Sequence, residues 1–137
     1  MPIKTFRGLI ASDFQDTILL HTNNGATGYR IVRLDLFTNS PGIGNEAEHV
    51  LKIYTKPQAA VDAVVDFSDQ TLIGVGFLPV KTSVFTQQQI VTFDNEVFNQ
   101  DIYVTHIDNG GNSVPVNYHI ELEQVKLDLN ENTVATL

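Results

Sequence analysis

The stretch IYVTHIDNGGNSVPVNYHIEL, residues 102–122, decides the fold class. It holds two runs, Ile102–Ile107 and Pro115–Leu122, in which apolar and polar side chains alternate. Alternation with period two is typical of a strand that packs one face against a core. Between the runs, Asp108–Asn112 supplies two glycines and two asparagines, which tolerate the positive φ of a tight turn. The stretch therefore predicts two strands joined as a hairpin.

Strand signals continue through the rest of the chain. Val, Ile and Thr make up 39 of the 137 residues, and their branched side chains favour a pleated sheet. A turn cluster at 23–28 predicts a first hairpin, whereas connections such as 38–47 and 79–88 are long for simple hairpins. Further strands are predicted at Ile3–Ala11, Thr17–Thr22, Tyr29–Phe37, Glu48–Thr55, Thr71–Leu78 and Gln89–Phe93.

These elements predict an all-β fold over residues 1–137. We expect a single-domain antiparallel β-sandwich, jelly-roll-like, with about eight strands; a small barrel is the alternative. Even-numbered apolar residues within 32–36 and 118–122 should face the core. After Gln124 the apolar residues are odd-numbered instead, which predicts a β-bulge or a strand end near Gln124. Gly74-Val75-Gly76 predicts a bulge or a close contact between sheets. Only Gln58–Val65 has the composition of a short helix, and a loop is the alternative there.

Composition and charge exclude several classes of function. Sixteen acidic and eight basic side chains give a net charge of −8, the wrong sign for a nucleic-acid surface. The absence of cysteine excludes disulfides, thiolate zinc sites and cysteine nucleophiles. No apolar run approaches the roughly 18 residues of a membrane span, and the opening MPIKTFRGLI lacks the features of a signal peptide. We expect no nucleic-acid partner and no membrane partner.

The four histidines are the first candidates for a metal site. They are His21, His49, His106 and His119, all on predicted strands or strand ends. A metal site in a jelly roll needs histidines paired on one strand face so that two side chains converge on the ion. No pair has HxH or HxxxH spacing. His119 does share a strand face with two glutamates, for which the solvent face of a sheet is the simpler interpretation.

Other chemical motifs are equally sparse. The acidic stretches Asp62–Asp69 and Asp94–Asp101 carry oxygen ligands that suit calcium, but neither has the spacing or the glycine of a 12-residue calcium loop, which favours solvated turns. No GxSxG elbow and no phosphate-binding glycine loop occurs. Trp, the usual platform for sugar rings, is absent, and only four Tyr are present. We expect no catalytic, cofactor-binding or metal-binding residues.

Charge is distributed unevenly along the chain, which favours simple solubility first and a docking surface second. Residues 1–57 carry six basic and five acidic side chains, whereas residues 58–137 carry two basic and eleven acidic ones. Such asymmetry keeps a domain soluble, and it also orients a domain that docks on a complementary partner. The tail Asn130–Leu137 ends with apolar residues, where frayed tails are usually polar. The predicted assembly interface consists of Ile3, Phe6, Val134 and Leu137.

Five segments carry a resemblance to known proteins: Pro2–Gly8, Thr27–Val32, Val65–Leu72, Phe98–His106 and Tyr118–Glu123. In this order, over most of the chain, they resemble small virion structural proteins of marine tailed bacteriophages, of the capsid decoration or cement kind. The resemblance implies a product of a phage structural-gene region. It brings no defined site motif, so no functional residue is carried over.

We therefore expect a non-enzymatic virion structural protein, first of all a capsid decoration or cement protein. It would bind the outer shell after synthesis in the reducing bacterial cytoplasm, and would stabilise contacts between major capsid subunits. Its partners would be the major capsid protein and further copies of itself, with a trimer as one possibility. The alternatives are a tail, collar or vertex protein of low copy number, and a host-surface or carbohydrate-binding module. An enzyme on a β-sandwich ranks last.

Overall fold

The all-β prediction is confirmed by a computed structural model, which describes residues 2–20, 26–39, 46–81 and 88–127. Within those residues the chain forms eight β-strands and no helix, each strand overlapping one of the eight predicted strands. The strands are β1 Ile3–Ile10, β2 Phe14–Ile18, β3 Thr27–Thr38, β4 Ala47–Tyr54, β5 Leu72–Val80, β6 Ile90–Phe93, β7 Ile102–Asp108 and β8 Val116–Lys126.

The strands form two antiparallel sheets that pack as a sandwich. Sheet A has the order β1-β8-β3, and sheet B has the order β2-β7-β4-β5-β6. The first strand pairs with the last, the second with the second-last, and the two middle strands with each other. This nested pairing is that of a jelly roll, so the predicted jelly-roll-like β-sandwich is confirmed. β6 extends sheet B beyond β5 instead of pairing with β3.

Both predicted hairpins are wrong. β7 belongs to sheet B and β8 to sheet A, so the turn-rich segment 109–115 carries the chain from one sheet to the other. β2 and β3 are likewise in different sheets. By contrast, β5 and β6 pair directly although residues 81–89 separate them. Turn residues permit a reversal of the chain, but burial of the apolar faces decides which sheet receives the next strand.

The hydrophobic core lies between the two sheets. The predicted inward face of β8 is confirmed, since Tyr118, Ile120 and Leu122 are all buried. Residues from both sheets contribute side chains that are almost completely buried, among them Ile31, Leu51, Ile53, Ile102, Val104 and Ile120.

The bulge in sheet A lies in β3, not in β8. Tyr29 and Ile31 are buried, then the pairing with β8 shifts, and the buried positions become Leu34 and Leu36. Val32 is the extra residue and is exposed, so its predicted burial was wrong. β8 stays paired through Gln124, where the prediction had placed the irregularity, and ends two residues later. An extra residue in one strand of a pair reverses the faces of the residues after it in that strand.

Two local predictions concern the glycines of β5 and the segment after β4. The glycines of β5 do mark a close contact between sheets, because a Cβ on Gly76 would lie 2.9 Å from Cδ1 of Leu36 in sheet A. A register shift also lies beside Gly74, between β4 and β5. Of the two alternatives for Gln58–Val65, a short helix or a loop, the structure shows the loop, whose residues form bends over sheet B.

Candidate interaction surfaces

The outer face of sheet A is a shallow groove with apolar rims. Pairing places Leu9 of β1 and Phe37 of β3 on either side of Asn117 of β8. Leu9 is 54% exposed and Phe37 is 65% exposed, although both belong to strands. The groove has a volume of about 810 Å³, and the neighbouring row, Arg7 and His119 with Asp35, forms part of its lining. Apolar side chains exposed on a sheet face are a common feature of docking surfaces.

Most charges on this face are paired with each other. Arg33 contacts Asp35 at 2.5 Å and Glu121 at 3.8 Å, and Arg30 pairs with Glu123. Burial tends to raise the pKa of Asp35, but hydrogen bonds from Gln89 and Arg33, with the charge of Arg33, hold that pKa below its ordinary value. These ion pairs neutralise most of the charge in the middle of this face. A partner would therefore bind mainly through the apolar rim.

The predicted strand face with His119 therefore behaves as a solvent-side face. His119 lies between Arg7 and Asp35, and its Nδ1 is buried without a hydrogen-bond partner. The two glutamates of this face are engaged by arginines. Across the ranges that the structure describes, no group of three or more His, Asp or Glu side chains could hold a metal ion.

Two of the four predicted interface residues lie on β1, at the edge of sheet A. Ile3 is 49% exposed on the outer face. Phe6 is partly buried and packs against the main core, so it contributes to the fold as well as to the edge. Val134 and Leu137 lie outside the described residues. The structure thus brings Ile3 and Phe6 to one strand without testing the other half of the predicted interface.

The loop 55–71 covers the outer face of sheet B. Lys52 of β4 points away from the core and would be exposed, yet it is only 2% exposed because the loop lies over it. Its Nζ donates to Oδ1 of Asp62 at 2.8 Å and to the carbonyl of Val64 at 2.6 Å. Gln58 exchanges two hydrogen bonds with Gln15 of β2, which ties the start of the loop to the edge of the sheet.

Short turns capped by aspartates fix the shape of this loop. Asp66 accepts from the backbone and hydroxyl of Ser68, and Asp69 does the same for Thr71. These hydrogen bonds hold the pKa of both carboxyls below the ordinary value. The loop presents three apolar side chains that are exposed between its acidic residues, namely Val64, Val65 and Phe67.

The two acidic stretches considered for calcium lie in loops of the structure. Asp69 meets Asp94 and Glu96 around a small pocket of about 250 Å³, so the fold does bring the two stretches together. Oδ1 of Asp69 accepts hydrogen bonds from the backbone and hydroxyl of Thr71. Asp101 lies apart from them and accepts from the backbone of Leu20 at 2.8 Å.

A histidine pair that sequence spacing does not reveal lies inside the sandwich. His49 of β4 and His106 of β7 are fully buried, with His49 Nδ1 2.9 Å from His106 Nε2. His106 Nδ1 lies 3.1 Å from the carbonyl of Ala11, which can only accept, so His106 Nδ1 donates and its Nε2 accepts from His49. His49 Nε2 is then a buried acceptor without a partner. Both rings are neutral in this arrangement.

The histidines meet because their strands are neighbours in sheet B, in the register that sets Leu51 opposite His106. Spacing along one strand cannot reveal such a pair, and strand order was not predicted. Asp108, close by, accepts backbone hydrogen bonds from Glu48, Gly110 and Val114. The cluster is a structural one, which joins β4, β7 and the β1–β2 connection.

Two further findings concern the chain as a whole. Within the described ranges, no helix is long and apolar enough to span a membrane. Comparison with family models, curated proteins and solved structures gave no match.

Proposed function

We propose that this protein is a virion structural protein of a tailed bacteriophage, and that it decorates the capsid shell and links neighbouring major capsid subunits. The resemblance in five segments provides the phage context. The geometry adds a reason for a linking role: exposed apolar side chains occur on both outer faces of the sandwich.

That two-sided arrangement is the observation that carries the proposal. Leu9 and Phe37 lie on the outer face of sheet A, whereas Val64 and Phe67 lie on the loop that covers the outer face of sheet B. The two surfaces therefore point in opposite directions and can contact two different neighbours at once. Contacts that are individually weak become strong in total when a symmetric lattice repeats them.

The two surfaces also differ in charge. Around Leu9 and Phe37 the acidic side chains are largely matched by arginines. Around Val64 and Phe67 the acidic side chains are Asp62, Asp66 and Asp69. Within the described residues Asp62 forms an ion pair with Lys52, and the charges of Lys56 and Lys52 act on Asp69 without an ion pair. A partner of the loop surface would need basic side chains around an apolar centre, whereas a partner of sheet A would not.

The first test is the copy number of the protein in purified particles, measured by quantitative mass spectrometry against the major capsid protein. Hundreds of copies per particle support the proposal. About a dozen copies would instead place the protein at a vertex or tail, and absence from particles would refute a virion role.

The second test addresses the two surfaces separately. Phe37→Ser and Phe67→Ser each remove an exposed aromatic ring, and each should weaken binding to particles that lack the protein. Phe14→Ser is the matched control, because Phe14 is also an exposed aromatic residue but lies opposite the inward-facing His106, on neither outer face. If only Phe14→Ser weakens binding, the assignment of the surfaces is wrong.

A further inference from the structure

The free edge of β1 has the features of a strand that pairs with another strand. β1 ends sheet A, and no described strand pairs with its outer edge. Its eight residues pair with β8 without any register shift, so the strand has no bulge to turn the edge away from a partner. Long regular edges of this kind are templates for strand addition.

The alternation of hydrogen bonds identifies the groups that face outward. The backbone of Gln124 donates to the carbonyl of Pro2, so the even-numbered residues of β1 bond to β8. The odd-numbered residues Ile3, Thr5, Arg7 and Leu9 therefore direct their N–H and C=O groups to the free edge. Their side chains lie on the outer face, where Ile3 and Leu9 are exposed.

We propose that β1 pairs antiparallel with β1 of a second copy, about a two-fold axis through Phe6, which joins two sheets A into one six-stranded sheet. This inference does not rest on the virion role. In this register Ile3 lies opposite Leu9 of the second copy, and Thr5 lies opposite Arg7. Each of these is a hydrogen-bonded pair that exchanges two N–H···O bonds.

Neighbouring registers are less favourable. An axis through Arg7 would place two guanidinium groups directly opposite each other, which destabilises a pair of strands. An axis through Thr5 would set the apolar Ile3 opposite the charged Arg7 twice. The axis through Phe6 matches Ile3 with Leu9 twice, sets Phe6 against Phe6, and leaves Lys4 opposite Gly8, so that no like charges face each other.

The occupant is a second copy because the pattern is self-complementary. A two-fold interface needs the same residues to match when the strand is reversed, and Ile3 and Leu9 lie at equal distances on either side of Phe6. An unrelated strand would have no need of that symmetry.

The absence of cysteine from the chain allows a direct test of the register. In the proposed dimer, Cα atoms of the two Phe6 residues would be about 4.5 Å apart, within the range for a disulfide. Under mild oxidation, Phe6→Cys should form a covalent dimer, whereas Thr5→Cys and Arg7→Cys should not. Ile90→Cys, on the edge strand of sheet B, measures random collision. Cross-linking at residue 5 or 7 in place of 6, or at the rate of Ile90→Cys, would overturn the proposal.

Charge substitutions at Ile3 and Leu9 give a second test that does not alter Phe6. Ile3→Lys with Leu9→Lys sets like charges opposite each other twice, whereas Ile3→Lys with Leu9→Glu sets opposite charges there. Sedimentation equilibrium of the full chain should give twice 15.2 kDa for the wild type and for the Lys/Glu variant. The Lys/Lys variant should dissociate at least about tenfold more readily. A monomeric wild type, or equal dimerisation by both variants, would refute the β1 interface.

The same measurements separate this inference from the proposed function. A dimer in solution with no protein in particles would uphold the β1 interface and refute the virion role. A monomer in solution with hundreds of copies in particles would do the reverse.

Discussion

The buried histidine pair should make the fold sensitive to mild acid. Burial lowers the pKa of both rings, and the adjacent His106 lowers the pKa of His49 further, to about 4, against the opposing effect of Asp108. In the unfolded chain each histidine recovers an ordinary pKa near 6.5. Between these values the unfolded chain binds more protons than the native protein, so stability is present above about pH 6.5 and is lost as the pH falls toward 4.

The loss is a substantial fraction of the stability of a typical domain. A pKa lowered from 6.5 to about 4 corresponds to roughly 3 kcal/mol when the pH is below both values. At pH 5 the linkage relation gives about 2 kcal/mol from His49 alone. His106 acts in the same direction because its pKa is also lowered. Single domains are commonly stable by only about 5–15 kcal/mol.

Urea unfolding between pH 7.5 and pH 5 measures this effect in a window where carboxylates contribute little. The aspartates with lowered pKa values, such as Asp108, lose their contribution only at lower pH. His49→Gln should flatten the dependence of the unfolding free energy on pH, whereas His119→Gln, which leaves the buried pair intact, should preserve it. An unfolding free energy that stays constant from pH 7.5 to pH 5, or a slope unchanged by His49→Gln, would refute the reasoning.

Three other substitutions test how the loop, the core and the turn are held. Asp62→Ala leaves the buried ammonium of Lys52 with only a carbonyl partner, and should lower the unfolding free energy by about 1–2 kcal/mol and speed proteolysis within 55–71. Gly76→Ala forces Leu36 to move and should cost about 1–3 kcal/mol in urea unfolding at pH 7. Asp108→Ala removes the acceptor of three backbone N–H groups and should cost about 2–4 kcal/mol in the same assay.

Exposed positions in the same segments supply the controls. Gln70→Ala lies in the loop but outside the hydrogen bonds of Lys52, and it should change stability by less than about 0.5 kcal/mol. Asn109→Ala serves the same purpose in the turn after β7, where the side chain is exposed. If these controls cost as much as the three test substitutions, the assigned contacts are not the source of the effect.

Most of the fold could be predicted because period-two patterns report which strands are half-buried. All eight strands overlap their predictions, and the inward face of β8 was correct. Strand pairing could not be predicted, because the turn after β7 permits either a hairpin or a crossing between sheets. The bulge at Val32 did leave a signal in the sequence, because Ile31 and Val32 are adjacent apolar residues that interrupt the alternation of apolar and polar residues. A similar interruption occurs near Gln124.

The surfaces were harder to predict than the fold because a sequence does not show what covers a strand. Lys52 has the pattern of an exposed strand residue, yet the loop buries it. Phe37 has the pattern of a strand hydrophobe, yet it is exposed. The histidine pair depends on strand order, and the edge of β1 depends on which strand ends the sheet. Ile3 was singled out from its position near the terminus, and its role in an interface remains a prediction.

The β1 dimer and the docking face of sheet A can be tested separately, although both involve apolar side chains of β1. Within one chain, Leu9 and Phe37 lie on either side of Asn117. In the dimer, Ile3 of the second copy would lie beside this Leu9, on the side away from Asn117. Dimerisation would thus bring Ile3 and Leu9, which are apart in one chain, into a single apolar area. The apolar area available to a capsid subunit would then depend on dimerisation, and two such areas on one dimer would bind with avidity.

Two variants distinguish the contribution of dimerisation to particle binding from the contribution of the apolar side chains. Ile3→Lys with Leu9→Glu should keep the dimer but lose the apolar area, so it should bind particles weakly while sedimenting as a dimer. Thr5→Pro removes an outward N–H that β8 does not use, and proline is tolerated at such an edge position, so the variant should be monomeric with its apolar side chains intact. Weak particle binding by both variants would show that sheet A docks as a dimer. Undiminished binding by both would exclude this face and leave the loop 55–71 as the surface that contacts the shell.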